Sequence, residues 1–411
     1  MFDVRNPQEF SLTASNKRSK SRLYYFAPIS TEDINRRYRK LVHVGAASHK
    51  VLGVCHALNR SGVSAVVVSS LVTGRLSDIL RGNVFSYLHS SKVAYIKIYS
   101  FGKSFVQRVT SSFSFLLFSI RIVRAEDVVL FYNFFPDYIL AAFYLRIIGK
   151  RAVLDIEDGP RTDEIGVRGS VNRISFFLLR HLCADRFIVS SRALSENFGL
   201  APSLAVYGVA DYFGNLGDVS PKFLGEKINI LLGGAIMPET GWELFKDAVK
   251  HLVETAPDLP VRFFITGHFI SSDILAFAGE VSAISDIEIN VHPDLSADQY
   301  RLILDEMDVG LCLKLPSHSI GQTTFPSKVI EYAARGLLLI STSVSDVPFI
   351  FDDDSAVLLK TEEGIECATA ILQVVERRIE ARRIASNGAA LIAREFSSDA
   401  VGAKMREFLC G

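Results

Sequence analysis

Short apolar runs alternate with helix-patterned stretches along this chain, and the alternation occurs twice. In the first half "LYYFAP" (23–28), "SAVVVSS" (64–70), "VAYIKIYS" (93–100), "DVVLFYN" (127–133), "AVLDIED" (152–158) and "RFIVSS" (186–191) read as strands. Between most of them lie stretches of helical spacing such as "KVLGVCHALNRSG" (50–62) and "PDYILAAFYLRIIG" (136–149). Strand and helix in alternation demand a parallel sheet covered on both faces by helices. A break follows at "VYGVADYFGNLGDVSPKFLGEK" (206–227), which holds four Gly and one Pro without periodicity. The pattern then restarts with strands at 228–234, 261–267 and 308–313, and helices at 241–254 and 296–307. Residues 363–409 read as helical. The expectation is an α/β chain of two Rossmann-like, doubly wound domains facing across a cleft. The bounds are a basic N-terminus over 1–22, a first domain over 23–205, a linker over 206–226, a second domain over 227–395, and a helix over 396–411 that can cross back to the first domain.

A length of 411 residues suits two domains. The five cysteines are scattered with no CxxC pair, so neither a disulfide framework nor a zinc site is indicated, and a reducing compartment fits. The N-terminal stretch lacks the apolar core of a signal peptide. No apolar run approaches the ~18 residues of a spanning helix. Net charge is zero, yet residues 1–200 hold 28 Lys+Arg against 15 Asp+Glu. From totals of 45 and 45, that leaves 17 against 30 for residues 201–411, so the halves are +13 and −13. A half this basic is drawn to something anionic.

The stretch "TTFPSKVIEYAARGLLLIST" (323–342) reads as a helix and then a buried strand. Thr324 can cap the helix, Pro326 suits its first turn, and Gly336 suits the position after its end. Lys328 then sits near the positive end of the helix dipole, where an anion would explain it. Glu331 follows at i+3, a poorer orientation for a helix ion pair. Its helical position is opposite Ile330, Ala333 and Ala334, so an exposed carboxylate is expected.

A dinucleotide fingerprint, a phosphate loop ending in Gly-Lys-Ser/Thr, HExxH and Gly-x-Ser-x-Gly are all absent. What the chain does resemble, through "FPSKVIEYAARGLLLIST", is the donor-site segment of retaining glycosyltransferases of the GT-B fold, a group with many bacterial polysaccharide and lipopolysaccharide transferases. "LLGGAIMPETGWELFKDAV", "VRFFITGHF", "INVHPDLSADQYRLILDEMDVGLCL", "CADRFIVSSRAL" and "HVGAASHKVLGVCHALNRSG" resemble further family segments in order. The resemblance implies a donor-binding set of Gly45, Gly234, Thr323, Thr324, Ser327, Lys328 and Glu331, with Glu331 on the nucleotide ribose. The chain also departs from the family. Thr323 stands where a second Glu is usual, Ala235 where an Arg is common, and Thr240 where a Lys usually precedes Gly241. Lys328 is then the cation left for a diphosphate. Many members carry a His after the strand at "DVVLFY"; here Asn133 occupies the neighbourhood.

The acidic cluster "LDIEDGPRTDE" (154–164) follows a strand, at the carboxyl end where open α/β sheets bind ligands. Asp155 and Glu157 are candidates for acceptor hydroxyls; Asp158, with Asn133, is the candidate catalytic pair. Loop carboxylates that merely cap a helix are the plain alternative. His43, His268 and His292 are isolated and read as structural or solvated. The segment at 104–124 is either a core helix with an Arg-rich edge or an amphipathic helix at a membrane surface. The reading is transfer of a sugar from a nucleotide diphosphate sugar to a glycan or lipid-linked acceptor, with retention, in bacterial surface polysaccharide synthesis. It implies no cofactor and no metal. It calls for an anionic membrane surface as partner, no nucleic acid, and a cytoplasmic place on the inner face of the plasma membrane. The alternatives are a nucleotide-sugar epimerase of the same fold and a degenerate, non-catalytic scaffold.

Overall fold

The structure is a computed structural model that describes residues 22–29, 45–74, 85–88, 93–99, 104–150, 152–160, 164, 166–182, 186–213, 222–267, 271–318, 321 and 323–411. The basic stretches at 17–22 and 35–40, His43 and His268 fall wholly or almost wholly outside these residues. The chain divides into two compact units. One comprises Met1–Val189, Phe198–Leu204 and Val401–Gly411; the other comprises Ser190–Asn197 and Ala205–Ala400. The C-terminal residues thus group with the first unit, and Ser190–Asn197 with the second.

The first unit is built on β1 (Arg22–Phe26), β2 (Ser64–Gly74), β3 (Phe85–Leu88), β4 (Val93–Tyr99), β5 (Val128–Tyr132), β6 (Ala152–Ile156), β7 (Phe187–Val189) and β8 (Ser203–Ala205), in the order β3-β4-β2-β1-β5-β6-β7-β8. The pairs from β4 across to β7 are parallel, and β3 is antiparallel to β4. Its helices include α1 (Gly45–Arg60), α2 (Ser104–Arg121), α3 (Ile139–Ile147) and α4 (Val167–Leu182). The short α5 (Arg192–Phe198) leads on. Tyr25, Phe26, Leu130, Phe131, Leu154 and Ile156 are fully buried, as near-continuous apolar strands under helices on both faces must be.

The second unit carries β9 (Ile228–Gly233), α6 (Trp242–Thr255), β10 (Val261–Gly267), α7 (Ser272–Ile284), β11 (Glu288–Pro293), α8 (Ala297–Glu306), β12 (Val309–Cys312), α9 (Lys328–Ala334), β13 (Leu338–Thr342), α10 (Val347–Ile350), β14 (Val357–Leu359), α11 (Gly364–Glu376) and α12 (Arg378–Glu395). Its sheet is parallel in the order β11-β10-β9-β12-β13-β14. Alternation along β9 sends Ile228, Ile230 and Leu232 into one core and Leu231 into the other. Leu244, Phe245, Ala248, Val249 and Leu252 form the buried stripe of α6, at the spacing one helical face requires. The helical stretch at 363–409 comprises three helices, ending in α13 (Ser398–Cys410). Gly402 lets α13 approach α1: a Cβ there would lie 2.2 Å from the Ala57 carbonyl oxygen.

In both sheets growth reverses beside a central strand, between β1 and β5 and between β9 and β12. Ligands of open α/β sheets bind at the carboxyl ends of such strands. One contact sets the height of α9 over the second of these points. A Cβ at Gly310 would lie 2.4 Å from the Tyr332 ring, which therefore rests directly on the β12 backbone. Gly310→Ala should lower the stability of the second unit by about 1–3 kcal/mol, as overpacking does. Urea unfolding followed by fluorescence of Trp242, the chain's single tryptophan, reads this unit alone. An unchanged midpoint would mean that the ring is free to move aside.

Candidate functional site

The second unit brings three strand-end features together. β9 ends in Gly233, followed by Gly234 with φ 118°. α9 begins at Lys328, not near Thr324, and has seven residues; its cap residue Ser327 makes no side-chain capping bond. The Pro-Ser turn thus delays the helix by one turn and makes Lys328 its first residue. Gly336 takes φ 69° after the helix, with Gly336 N–H bonded to the Ala333 carbonyl and Leu337 N–H to that of Tyr332. That pair of bonds satisfies two carbonyls that the helix end leaves over.

Lys328 lays its stem over Gly234: a Cβ there would be 3.8 Å from Lys328 Cε. Its ammonium donates to Tyr300 Oη and Glu331 Oε2, both at 2.7 Å, and lies 4.4 Å from the Tyr300 ring centroid. Tyr300 Oη also donates to Glu331 Oε2 at 3.2 Å. The third ammonium proton has no acceptor among the described residues. Burial works to lower the Lys328 pKa, but Glu331, Tyr332 and Cys312 together outweigh it and raise the value. Burial and Glu331 also hold the Tyr300 hydroxyl well above its ordinary range. The expected exposure of Glu331 is corrected here. It is 9% exposed, because α9 lies on the sheet and is enclosed on every side from Val329 to Ala334.

The other expected donor residues fall nearby with different duties. Thr323 accepts from Ser191 Oγ at 2.5 Å through its carbonyl, and the Thr324 carbonyl accepts from Lys314 Nζ at 3.2 Å, so Thr324 is a carbonyl acceptor and not the helix cap. Ser327 is exposed. Ala235 is exposed, and the Thr240 hydroxyl folds back onto its own turn, donating to the carbonyls of Ala235 and Met237 and accepting from Met237 N–H. Neither can supply the cation its position lacks. Residues that the sequence reading passed over complete the arrangement. They are Tyr300, Tyr332 and Thr266, whose oxygens lie 3.5, 2.9 and 3.0 Å from where a Gly233 Cβ would stand. Thr266 Oγ1 and His292 Nε2 are buried without a hydrogen-bond partner among the described residues.

In the first unit Gly45 is the first residue of α1. The acidic cluster divides between strand and loop. Asp155 lies inside β6 and is fully buried; Glu157 is half-buried and Asp158 exposed just beyond. Asp155 accepts from Tyr25 Oη and from Lys50 Nζ, the latter at 3.2 Å, and Lys50 also pairs with Glu157. Asn133, at φ 55°, donates its N–H to the Asp155 carbonyl at 2.6 Å and accepts from Glu157 N–H at 3.0 Å through Oδ1. Lys50 on α1 and Tyr25 on β1 were not anticipated. A lysine on a helix and a tyrosine in an apolar strand carry no local signal of each other. Burial and then the Asp155 charge push the Tyr25 hydroxyl well up. The structure thus joins Asp155, Glu157 and Asn133 into one network and leaves Asp158 outside it, exposed.

Among the described residues no group of His, Cys, Asp or Glu side chains is placed to hold a metal ion. None of their helices is long and apolar enough to cross a membrane.

Residues 244–407 match the family model described as glycosyl transferase-like. No curated protein sequence matches the chain. Among solved structures, a glycosyltransferase from Rickettsia africae superposes with a TM-score of 0.64 at 15% identity, over 94% of this chain and 97% of that one. Anabaena HepE in complex with UDP and glucose gives 0.61 at 12% identity, over 95% and 100%. A trehalose-phosphate synthase from Burkholderia xenovorans, in complex with glucose-6-phosphate, gives 0.65 at 12% identity, over 95% and 100%. The chain has the two-sheet GT-B fold of these proteins, and its residues 244–407 are similar to the glycosyl transferase-like family.

Proposed function

We propose that the chain is a glycosyltransferase that takes a sugar from a nucleotide diphosphate sugar held by its second unit. One observation carries this reading. A charged lysine with a proton to spare lies across a side-chain-free strand end, at the point where the sheet reverses its growth. A diphosphate there would accept from Lys328 and approach the backbone at Gly234, beside the Tyr300, Tyr332 and Thr266 hydroxyls that crowd Gly233. Charge on the leaving nucleoside diphosphate would be stabilised by the same ammonium. Glu331 holds that ammonium in place, and the family likeness implies a bond from its carboxylate to the nucleotide ribose.

The acceptor is a glycan or a lipid-linked acceptor, the anomeric configuration is retained, and no metal takes part. The setting is bacterial surface polysaccharide synthesis on the cytoplasmic face of the plasma membrane. The +13 charge of residues 1–200 supports that setting. In the first unit, Asp158 is the carboxylate left exposed beside the buried Asp155 network.

The test is thermal denaturation with a panel of nucleoside diphosphates and their sugars. A ligand of the native state at 100 times its Kd adds about 2.7 kcal/mol to stability, so the matching nucleotide should raise the melting temperature clearly. No shift with any member would sink the donor reading and favour a scaffold, which Ala235 and the self-satisfied Thr240 would suit. Conversion of the sugar nucleotide with no acceptor present would point to an epimerase instead.

A further inference from the structure

We infer that the outer faces of α2, α3 and α4 together form a docking surface for an anionic lipid bilayer. The three helices pack side by side, α2 against α3 and α3 against α4. Each is apolar on both sides. α2 buries Phe115 and Phe118 and turns Phe113 and Leu117 outward; α3 buries Ala142 and Leu145 and exposes Phe143 and Ile147; α4 buries Phe176 and Leu179 and exposes Ile174 and Phe177. Phe113 and Phe143 are each 54% exposed and Phe177 is 59% exposed. A surface helix of a soluble unit normally turns a polar stripe to water, and a lone exposed apolar side chain needs no explanation. Three neighbouring helices with outward apolar stripes are a contiguous patch, which marks an interaction site.

Charge decides the occupant. The three helices contain no Asp or Glu and six arginines: Arg108 and Arg121 on α2, Arg146 on α3, and Arg168, Arg173 and Arg180 on α4. Of these, Arg168 pairs with Glu164 at 3.1 Å and Arg173 bonds to the Glu164 carbonyl at 3.2 Å. A two-fold contact between copies of this chain would set this face against itself, arginine toward arginine, and Glu164, already engaged by Arg168, would offset little of that repulsion. A bilayer with anionic headgroups fits both properties. The phenylalanines enter the headgroup–acyl boundary, and arginines near the helix ends reach back to phosphates. The sequence pointed only to the 104–124 helix and to basic stretches; α3 and α4 enter through the structure. The inference shares with the proposed function the membrane location alone, and the chemistry of transfer stands or falls separately.

The experiment is flotation of the full chain with phosphatidylcholine vesicles, with and without phosphatidylglycerol. The protein should float with the anionic vesicles, and added salt should weaken this. The combined variant Phe113→Ser, Phe143→Ser, Phe177→Ser should cut the bound fraction at least tenfold while keeping the parent's melting curve and nucleoside diphosphate response. Ile379→Ser, on the second unit and 90% exposed, should float like the parent. Arg108→Gln, Arg121→Gln, Arg146→Gln should bind less and lose salt dependence. Failure of the parent to float, or undiminished flotation of the phenylalanine variant, overturns the inference. So does a dimer in sedimentation that the phenylalanine variant abolishes, since the occupant is then a second copy. A parent that floats yet ignores every nucleoside diphosphate leaves this surface standing and removes the donor reading.

Discussion

Asp155→Ala should cost the first unit about 3 kcal/mol, the lower end of what is lost when one partner leaves a buried ion pair. The Asp155 side chain is 1% exposed and that of Lys50 9%. Removing the carboxylate strands the Tyr25 hydroxyl inside the sheet and takes one of two carboxylates from Lys50; Glu157 keeps the ammonium from being wholly unpaired. Asp155→Asn keeps the shape and an acceptor for Tyr25, so it should cost about half as much. Trp242 lies in the second unit, so its fluorescence is blind to the first. Urea unfolding by far-ultraviolet circular dichroism should therefore show an early transition in Asp155→Ala that tryptophan fluorescence does not follow. Coincident, unshifted transitions by both probes would mean that the network contributes nothing. Asp155 would then be free for the acceptor role that its place at a strand end suggested.

Why Asp155 reads as a site residue and turns out buried is instructive. A strand followed by several carboxylates places them correctly at the carboxyl edge, because strand period and sheet direction are written locally. Whether a carboxylate points to solvent or inward depends on β1 and α1, more than 100 residues away. The architecture was legible for the complementary reason. Apolar runs of strand length between helical stretches admit few arrangements other than a doubly wound sheet, and both sheets are of that kind. Glu331 repeats the lesson on a helix. Helical spacing assigns it a face, but Gly310 lets Tyr332 drop onto β12, and α9 then sinks until no face remains outside. Lys328 was visible from sequence as a cation at an odd position. Its partner Tyr300 was not, since the helical spacing of 296–307 carries no signal of a lysine 28 residues further on.

Lys328→Ala should weaken nucleoside diphosphate binding tenfold or more. A hydrogen bond from a charged donor contributes about 1.5–3 kcal/mol, and each ~1.4 kcal/mol is a factor of ten in affinity. Lys314 is unsuited as the comparison, because its ammonium already holds the Thr324 carbonyl. Lys250→Ala, on the exposed side of α6, is the proper one and should leave affinity unchanged. The substitution has a second consequence that must be separated from the first. Glu331 loses its cation and keeps only the Tyr300 hydroxyl, so the second unit should also lose about 1–3 kcal/mol of stability. Calorimetry with the diphosphate and with the bare nucleoside tells the two apart. If Lys328 grips phosphate, only the diphosphate weakens; the nucleoside, bound through its base and ribose, keeps its affinity. An equal fall for both ligands would mean that Lys328 acts by holding Glu331 in place. Unchanged affinity for both would remove the cation from the donor site altogether, and with it the observation on which the transferase reading rests.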